Sequence, residues 1–358
     1  LTKMATLTET AYYTRRTINW IIIGIFSYIF LRFLWGLSIT LFLILFPPKP
    51  LPPTMAFGKL PALQFPKEAS PSSALTFKLE TIEGTIPEAS TTGTVYFMPK
   101  KPANLLALTK TEEFAKRLGF VPEPIQETNN IYSFIDREFP RQLRYDIVTD
   151  NFLVHYAFER DIALFNDRRV PSVDAAIAQA KAFLQTYGLY TSDIAEGTTK
   201  TFLLRLSGNT LVEATSLSKA DSIRVDFARR PIQGIPVVTS NPDKALISLL
   251  FSGSSNQKKR VLEFSYIFWP IDYETKATYP LKPSSIAWTE LQSGKGYIAR
   301  YPHRSDTAVV RSVYLAYYDS PEPQIYLQPI YVFEGDKGFM GYVPAIDPIW
   351  SENATDLH

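Results

Sequence analysis

Two pairs of carboxylates stand at i, i+2 spacing: Asp136 and Glu138 in FIDREFP, and Asp272 and Glu274 in WPIDYETK. On a strand this spacing puts both side chains on one face, and two adjacent like charges can split their pKa values for acid and base work. The opposing reading is a solvated, salt-bridging strand edge, because Arg137, Arg141 and Arg144 lie close to the first pair. That edge is the expected state of both pairs. Other chemistries are excluded by residue type. There is no cysteine, so thiol catalysis, thiolate metal sites and disulfides are absent, and His155, His303 and His358 are too scattered for a paired-histidine metal site. His155 falls in the alternating run Phe152–Tyr156, where it reads as an ordinary strand residue. Gly294-Lys295-Gly296 lacks phosphate-loop spacing and follows a predicted helix, so it reads as a helix C-cap and turn. No cofactor and no metal are expected. The aromatic residues of the C-terminal half, Trp269, Tyr273 and Trp288 foremost, are the candidates for a glycan-stacking platform, against core packing as the plain alternative. Lys and Arg total 37 against 35 Asp and Glu, a near balance without the basic face that nucleic acid requires.

The elements that must position these residues begin with a membrane segment. Residues 19–46 read NWIIIGIFSYIFLRFLWGLSITLFLILF, interrupted by one charge, Arg32. At about 1.5 Å per residue this run spans roughly 40 Å, more than a ~30 Å hydrocarbon core, and is too long for a signal-peptide apolar region. Arg15 and Arg16 precede it and Lys49 alone follows closely, so the positive-inside rule predicts a cytoplasmic N-terminus with the remainder outside a plasma membrane. Met4 reads as a start preceded by an upstream extension. The expected divisions are a cytoplasmic tail (1–17), a transmembrane helix (18–46), a proline-rich spacer (47–73), a first unit (74–167), a second unit (168–347) and a C-terminal tail (348–358). The run from Pro47 to Pro53 predicts a polyproline II standoff of about 3.1 Å per residue. The fold class is α+β, with two units each built as an antiparallel sheet plus a helix. In the first, Thr109 and Glu112 form a predicted capping box, Phe114, Ala115 and Leu118 an apolar stripe, and Gly119 a C-cap. In the second, Ser172 is the N-cap, Ala176, Ile177, Ala180, Phe183, Leu184 and Tyr187 the stripe, and Gly188 the C-cap. The shared order of helix, glycine and meander suggests duplication.

Residues 171–344, and in particular the stretch TYP-x(6)-AW-x-x-L-x-x-G-x-G ending at Gly296, with RVDFARRPIQGIPVV, VYLAYYD and IYLQPIYVF around it, resemble the extracytoplasmic domains of the YycH/YycI two-component-system regulators. The front half is similar to uncharacterised bacterial single-pass proteins. The resemblance implies a single-pass, N-in regulator and carries no catalytic residue. The expected function is therefore a non-catalytic interaction or regulatory module at the cell envelope, acting on another membrane or envelope protein or on wall material, with the lipid bilayer as its other partner. A carboxylate-dependent hydrolase and a structural or adhesive surface protein are the alternatives. Within the anchor, Arg32 is the candidate intramembrane partner contact, since a central arginine costs about 2.5 to 3.5 kcal/mol on insertion scales and usually faces a protein group.

Overall fold

The computed structural model describes residues 7–45, 52–66, 75–87, 90–102, 104–166 and 169–352. The chain divides into two compact units, Leu1–Pro52 and Pro53–His358.

The described residues of the first unit up to Leu45 form one helix, α1 (Leu7–Leu45). Its segment Arg15–Phe42 has a mean hydropathy of 1.8, is wholly exposed, and is long and apolar enough to cross a membrane. An exposed surface of Ile, Phe and Leu on all sides is what a helix solvated by lipid presents.

Among the described residues the second unit holds five α-helices, α2 (Ala107–Arg117), α3 (Val173–Thr186), α4 (Ser192–Ala195), α5 (Gln257–Arg260) and α6 (Ser284–Gln292). Its strands are β1 (Thr76–Leu79), β2 (Thr92–Phe97), β3 (Ile125–Gln126), β4 (Ile131–Ile135), β5 (Arg141–Asp146), β6 (Phe152–Tyr156), β7 (Thr199–Ser207), β8 (Thr210–Glu213) and β9 (Ser222–Phe227). They continue with β10 (Val237–Thr239), β11 (Ile247–Ser252), β12 (Val261–Tyr266), β13 (Asp272–Pro280), β14 (Tyr297–Arg300), β15 (Thr307–Asp319), β16 (Tyr326–Leu327), β17 (Pro329–Gly335) and β18 (Met340–Pro344).

Nine strands form one antiparallel sheet in the order β3-β4-β5-β6-β12-β11-β9-β7-β8. Helices α2 and α3 cover one face. Ala115, Ala176, Ala180 and Leu184 are fully buried against Phe134, Leu143, Val225, Leu249 and Phe264 of the sheet. Such burial contributes about 1.5 to 3 kcal/mol for each large side chain. The other face is covered by 3₁₀ turns that bring Phe158, Leu164 and Phe165 onto Tyr156, Leu204, Leu250 and Leu262. With both faces covered, the central β11 is buried at every residue, whereas β5 alternates buried with exposed. Helix followed by meander does recur, α2 leading into β3–β6 and α3 into β7, β8, β9, β11 and β12, but both copies share one sheet, joined where β6 pairs with β12.

A six-stranded sheet (β1-β15-β17-β18-β14, with β10 also on β15) and a three-stranded sheet (β13-β2-β16) make the rest. Helix α6 buries Ala287 and Leu291 in the cluster that contains Leu60, Val310, Phe333 and Val343. β1 and β10 pair with β15 in parallel, so the expectation of purely antiparallel sheets does not hold there.

Several boundaries are corrected. The division at 167/168 does not separate two sheets, since β6 and β12 are neighbours, and β2 from the expected first unit pairs with β13 and β16. The expected spacer is part of the fold from Pro53: Leu60 is fully buried and its N–H donates to the Trp350 carbonyl at 2.8 Å, while Tyr279 Oη donates to the Gly58 carbonyl at 2.9 Å. Residues 348–352 of the expected tail belong to the same contact, with Ser351 bridging Leu60. The polyproline run at 47–51 lies outside the described residues. The helix expected to start at a Thr109 capping box starts instead at Ala107, where Leu106 caps without a side-chain bond. Ser172 caps α3 as predicted, accepting from the Ala175 N–H at 3.3 Å.

Candidate functional site

The carboxylate pairs do not form a site. Asp136 is buried at the β4–β5 turn, its Oδ1 accepting from the N–H groups of Glu138 and Phe139 at 3.0 and 3.4 Å, while Glu138 faces solvent beside Lys258. Asp272 folds back on its own turn: Thr275 Oγ1 donates at 2.7 Å and the N–H groups of Thr275 and Glu274 at 3.2 and 3.0 Å, holding this carboxyl below the usual aspartate range. Asp136 Oδ1 and both Asp272 oxygens thus serve as turn caps, while Asp136 Oδ2 lies buried with Lys258 Nζ at 3.5 Å. His155 lies on β6 with its ring edge-on to Phe158, and His303 lies in the loop after β14. Gly294 sits just past α6 with φ of +76°, and the Gly294 and Lys295 N–H groups donate to the Leu291 and Glu290 carbonyls, a Schellman cap as expected.

The three aromatic candidates are not gathered on one surface. Trp288 packs on Phe77 and Phe333 in the α6 core, whereas Trp269 and Tyr273 belong to the cluster of Tyr96 and Ile232. Trp269 Nε1 donates to the Ser320 carbonyl at 2.8 Å, and Tyr273 Oη donates to Asp193 Oδ1 at 2.8 Å. These rings are committed to packing, with Trp269 alone lining two surface clefts near Asp146 and Pro323.

Tyr273 leads to a buried ionic clamp. Arg229, 8% exposed, donates through Nη1 to Asp193 Oδ2 at 2.6 Å, through Nε to Asp319 Oδ2 at 3.2 Å and through Nη2 to the Trp269 carbonyl at 2.7 Å, and it lies over the Phe268 ring. Arg230 adds Asp193 Oδ1 at 3.1 Å and Glu196 at 2.8 Å. The clamp thus ties α4 and the loop after β9 to the end of β15 and the start of β13. Burial pushes the Asp319 carboxyl above its ordinary value against the pull of Arg229, and its Oδ1 has no partner among the described residues. The arrangement joins the two halves of the unit, a structural duty. Its sequence signal was the Arg229-Arg230 doublet ending a strand.

A second place combines an open cavity with unspent polar groups. The C-terminal ends of α2 and α3 meet: Arg117 Nη2 donates to the Thr186 carbonyl at 2.8 Å and Tyr187 Oη to the Arg117 carbonyl at 3.2 Å. Both helices end in Schellman caps at Gly119 and Gly188. Between these ends, α5 and the sheet lies a groove of about 570 Å³. Val154, Phe251 and Phe264 of the sheet, with Phe183 of α3, form its floor, and Arg117, Arg141, Lys258 and Arg260 stand around it with Gln179, Thr186 and Gln257. No acid lines it among the described residues. Arg141 is 8% exposed, donates to the Leu118 carbonyl at 2.6 Å and lies 4.2 Å above the Phe120 ring; burial pulls its pKa down, with Asp136 opposing. Its Nε reaches no hydrogen-bond acceptor, the nearest carboxylate oxygen being Asp136 Oδ2 at 3.9 Å. The groove went unnoticed in the sequence because its residues come from six separate stretches between 117 and 264.

No protein-family model matches the chain, and no curated protein does. Among solved structures it is similar to an uncharacterized protein from Eubacterium rectale ATCC 33656, at 14% identity over 72% of this chain and 84% of that one, with a TM-score of 0.36. A superposition at that level carries no argument about function.

Proposed function

We propose that the chain is a single-pass membrane protein of the cell envelope whose 53–352 unit is a non-catalytic recognition module for another envelope protein. The observation that carries this reading is the groove at the α2 and α3 ends. It joins an apolar floor to cationic walls, the makeup of a surface that recognises a ligand by burial and charge together. The turn-capping roles of Asp136 and Asp272 favour the non-catalytic reading over the hydrolase alternative. The apolar segment Arg15–Phe42 supports the anchor, and Arg15 and Arg16 before it support a cytoplasmic N-terminus. The resemblance of residues 171–344 to YycH/YycI is in keeping with a regulatory partner in the same membrane.

Protease added to spheroplasts tests the topology: digestion of the 53–352 unit with a protected N-terminal tag is expected, and the reverse pattern would invert the orientation. Arg32 belongs to the same proposal. It lies well inside the 28-residue apolar segment, ten residues before Phe42, or about 15 Å along the helix. We assign it to pairing with a polar or acidic group of a partner's transmembrane helix. Arg32→Leu is expected to leave insertion and abundance unchanged while partner recovery after crosslinking is lost; undiminished recovery would reduce Arg32 to a charge that snorkels to the headgroups.

A further inference from the structure

We infer that the groove binds an acidic, amphipathic segment of a partner protein, with apolar side chains on the Phe251 and Phe264 floor and carboxylates against Arg260 and Arg117. This deepens the recognition reading above and rests on it. Charge complementarity is the first argument. Four cations and no acid line the cavity among the described residues, and the four are not equally engaged. Lys258 is shared between Glu138 at 3.3 Å and Asp136 at 3.5 Å. Arg117 has one carbonyl, and Arg141 keeps an unsatisfied Nε in its buried guanidinium. Arg260, half-buried at the end of α5, makes no ion pair or side-chain hydrogen bond among the described residues. A partly desolvated guanidinium with nothing to pair against gains more from an arriving carboxylate than a solvated one does, because less water must be displaced to form the two parallel N–H···O bonds.

The second argument separates a peptide from a lipid. Gln179 on α3 and Gln257 on α5 carry amides that are both donors and acceptors, and neither has a partner among the described residues. Peptide groups satisfy both functions, whereas an acyl chain laid across the same wall would strip water from those amides and return nothing. The volume, about 570 Å³, accommodates a few side chains of a segment that continues out over the rim.

The test uses the full chain in nanodiscs of zwitterionic lipid and a fluorescent peptide of alternating leucine and glutamate, read by anisotropy. Saturable binding is expected. It should weaken by about tenfold or more in Arg260→Glu, and by a similar factor when the peptide's glutamates become glutamines or when salt rises from about 50 to about 500 mM. Gln257→Glu, at an exposed position outside any hydrogen bond, is the second variant and should weaken binding in the same direction. No binding, equal binding of the glutamine peptide, or binding indifferent to both substitutions would overturn the inference. A photoreactive residue at Gln179 in native membranes separates this inference from the broader reading. Crosslinks to a protein segment rich in carboxylates support both. Crosslinks to a protein segment without acids overturn the inference and leave the recognition module standing, and crosslinks to lipid alone overturn both.

Discussion

At the scale of single residues, Asp136 and Asp272 cap turns, and a different set of charges ties the unit together. Arg229 is one of them. Its three N–H positions hold Asp193, Asp319 and the Trp269 carbonyl inside the protein, so removing it leaves Asp319 buried without a cation and Asp193 with Arg230 alone. Arg229→Ala is expected to destabilise the unit by about 3 to 5 kcal/mol in urea titration of the 53–352 segment, well beyond the effect of a surface arginine. Asp161 gives a pH prediction. The Lys259 ammonium and Tyr156 hydroxyl, each at 2.6 Å, hold its carboxyl below the ordinary value of 3.8. A folded pKa below the unfolded one means that ionised Asp161 contributes stability above about pH 4, lost as pH falls through the folded value. Asp161→Asn should therefore be less stable at neutral pH and should lose less stability than the parent between about pH 4 and pH 2, as thermal unfolding across pH would measure.

At the scale of elements, caps and stripes were legible and pairings were not. The apolar stripe of α3 and the Gly188 cap follow from 3.6-residue periodicity and from the left-handed conformation, φ of +70°, that glycine adopts at little cost. Strand partners are set by which faces need covering across the whole chain, so the β6–β12 contact, more than 100 residues apart, left no local mark. Gly197 shows the difference. Its φ is ordinary, yet a Cβ there would sit 1.9 Å from the Ala228 carbonyl oxygen, because the turn after α4 presses on the end of β9. Gly197→Ala should cost clearly more than Gly188→Ala, for which about 1 kcal/mol is expected, and denaturant midpoints of the two variants would show the order.

At the scale of the molecule, the second compact unit begins earlier than composition suggests. The proline-rich stretch after Pro53 looks like a linker, yet Leu60 is fully buried, Phe65 stacks on Tyr297 at 5.1 Å, the Thr54 N–H donates to Thr278 Oγ1 at 3.0 Å and Tyr279 Oη donates to the Gly58 carbonyl at 2.9 Å. A chain beginning at Pro53 is expected to be soluble and to unfold cooperatively. One beginning at Ala74 should expose the Tyr279 and Trp350 cluster and melt at lower temperature or aggregate, by calorimetry and light scattering.

Sequence alone determined the features that depend on neighbours along the chain: an apolar helix long enough for a bilayer, the helix ends at Gly119, Gly188 and Gly294, the α+β composition, and the absence of thiol chemistry. Tertiary structure alone decided the rest. Asp136 and Glu138, two positions apart, diverge because a turn carries them instead of a strand; whether Trp269 and Trp288 meet, and which cations surround a shared apolar floor, are distances between residues well separated in sequence. Such distances are set by the sheet order that buries both faces of β11, a property of the whole fold with no counterpart in local spacing.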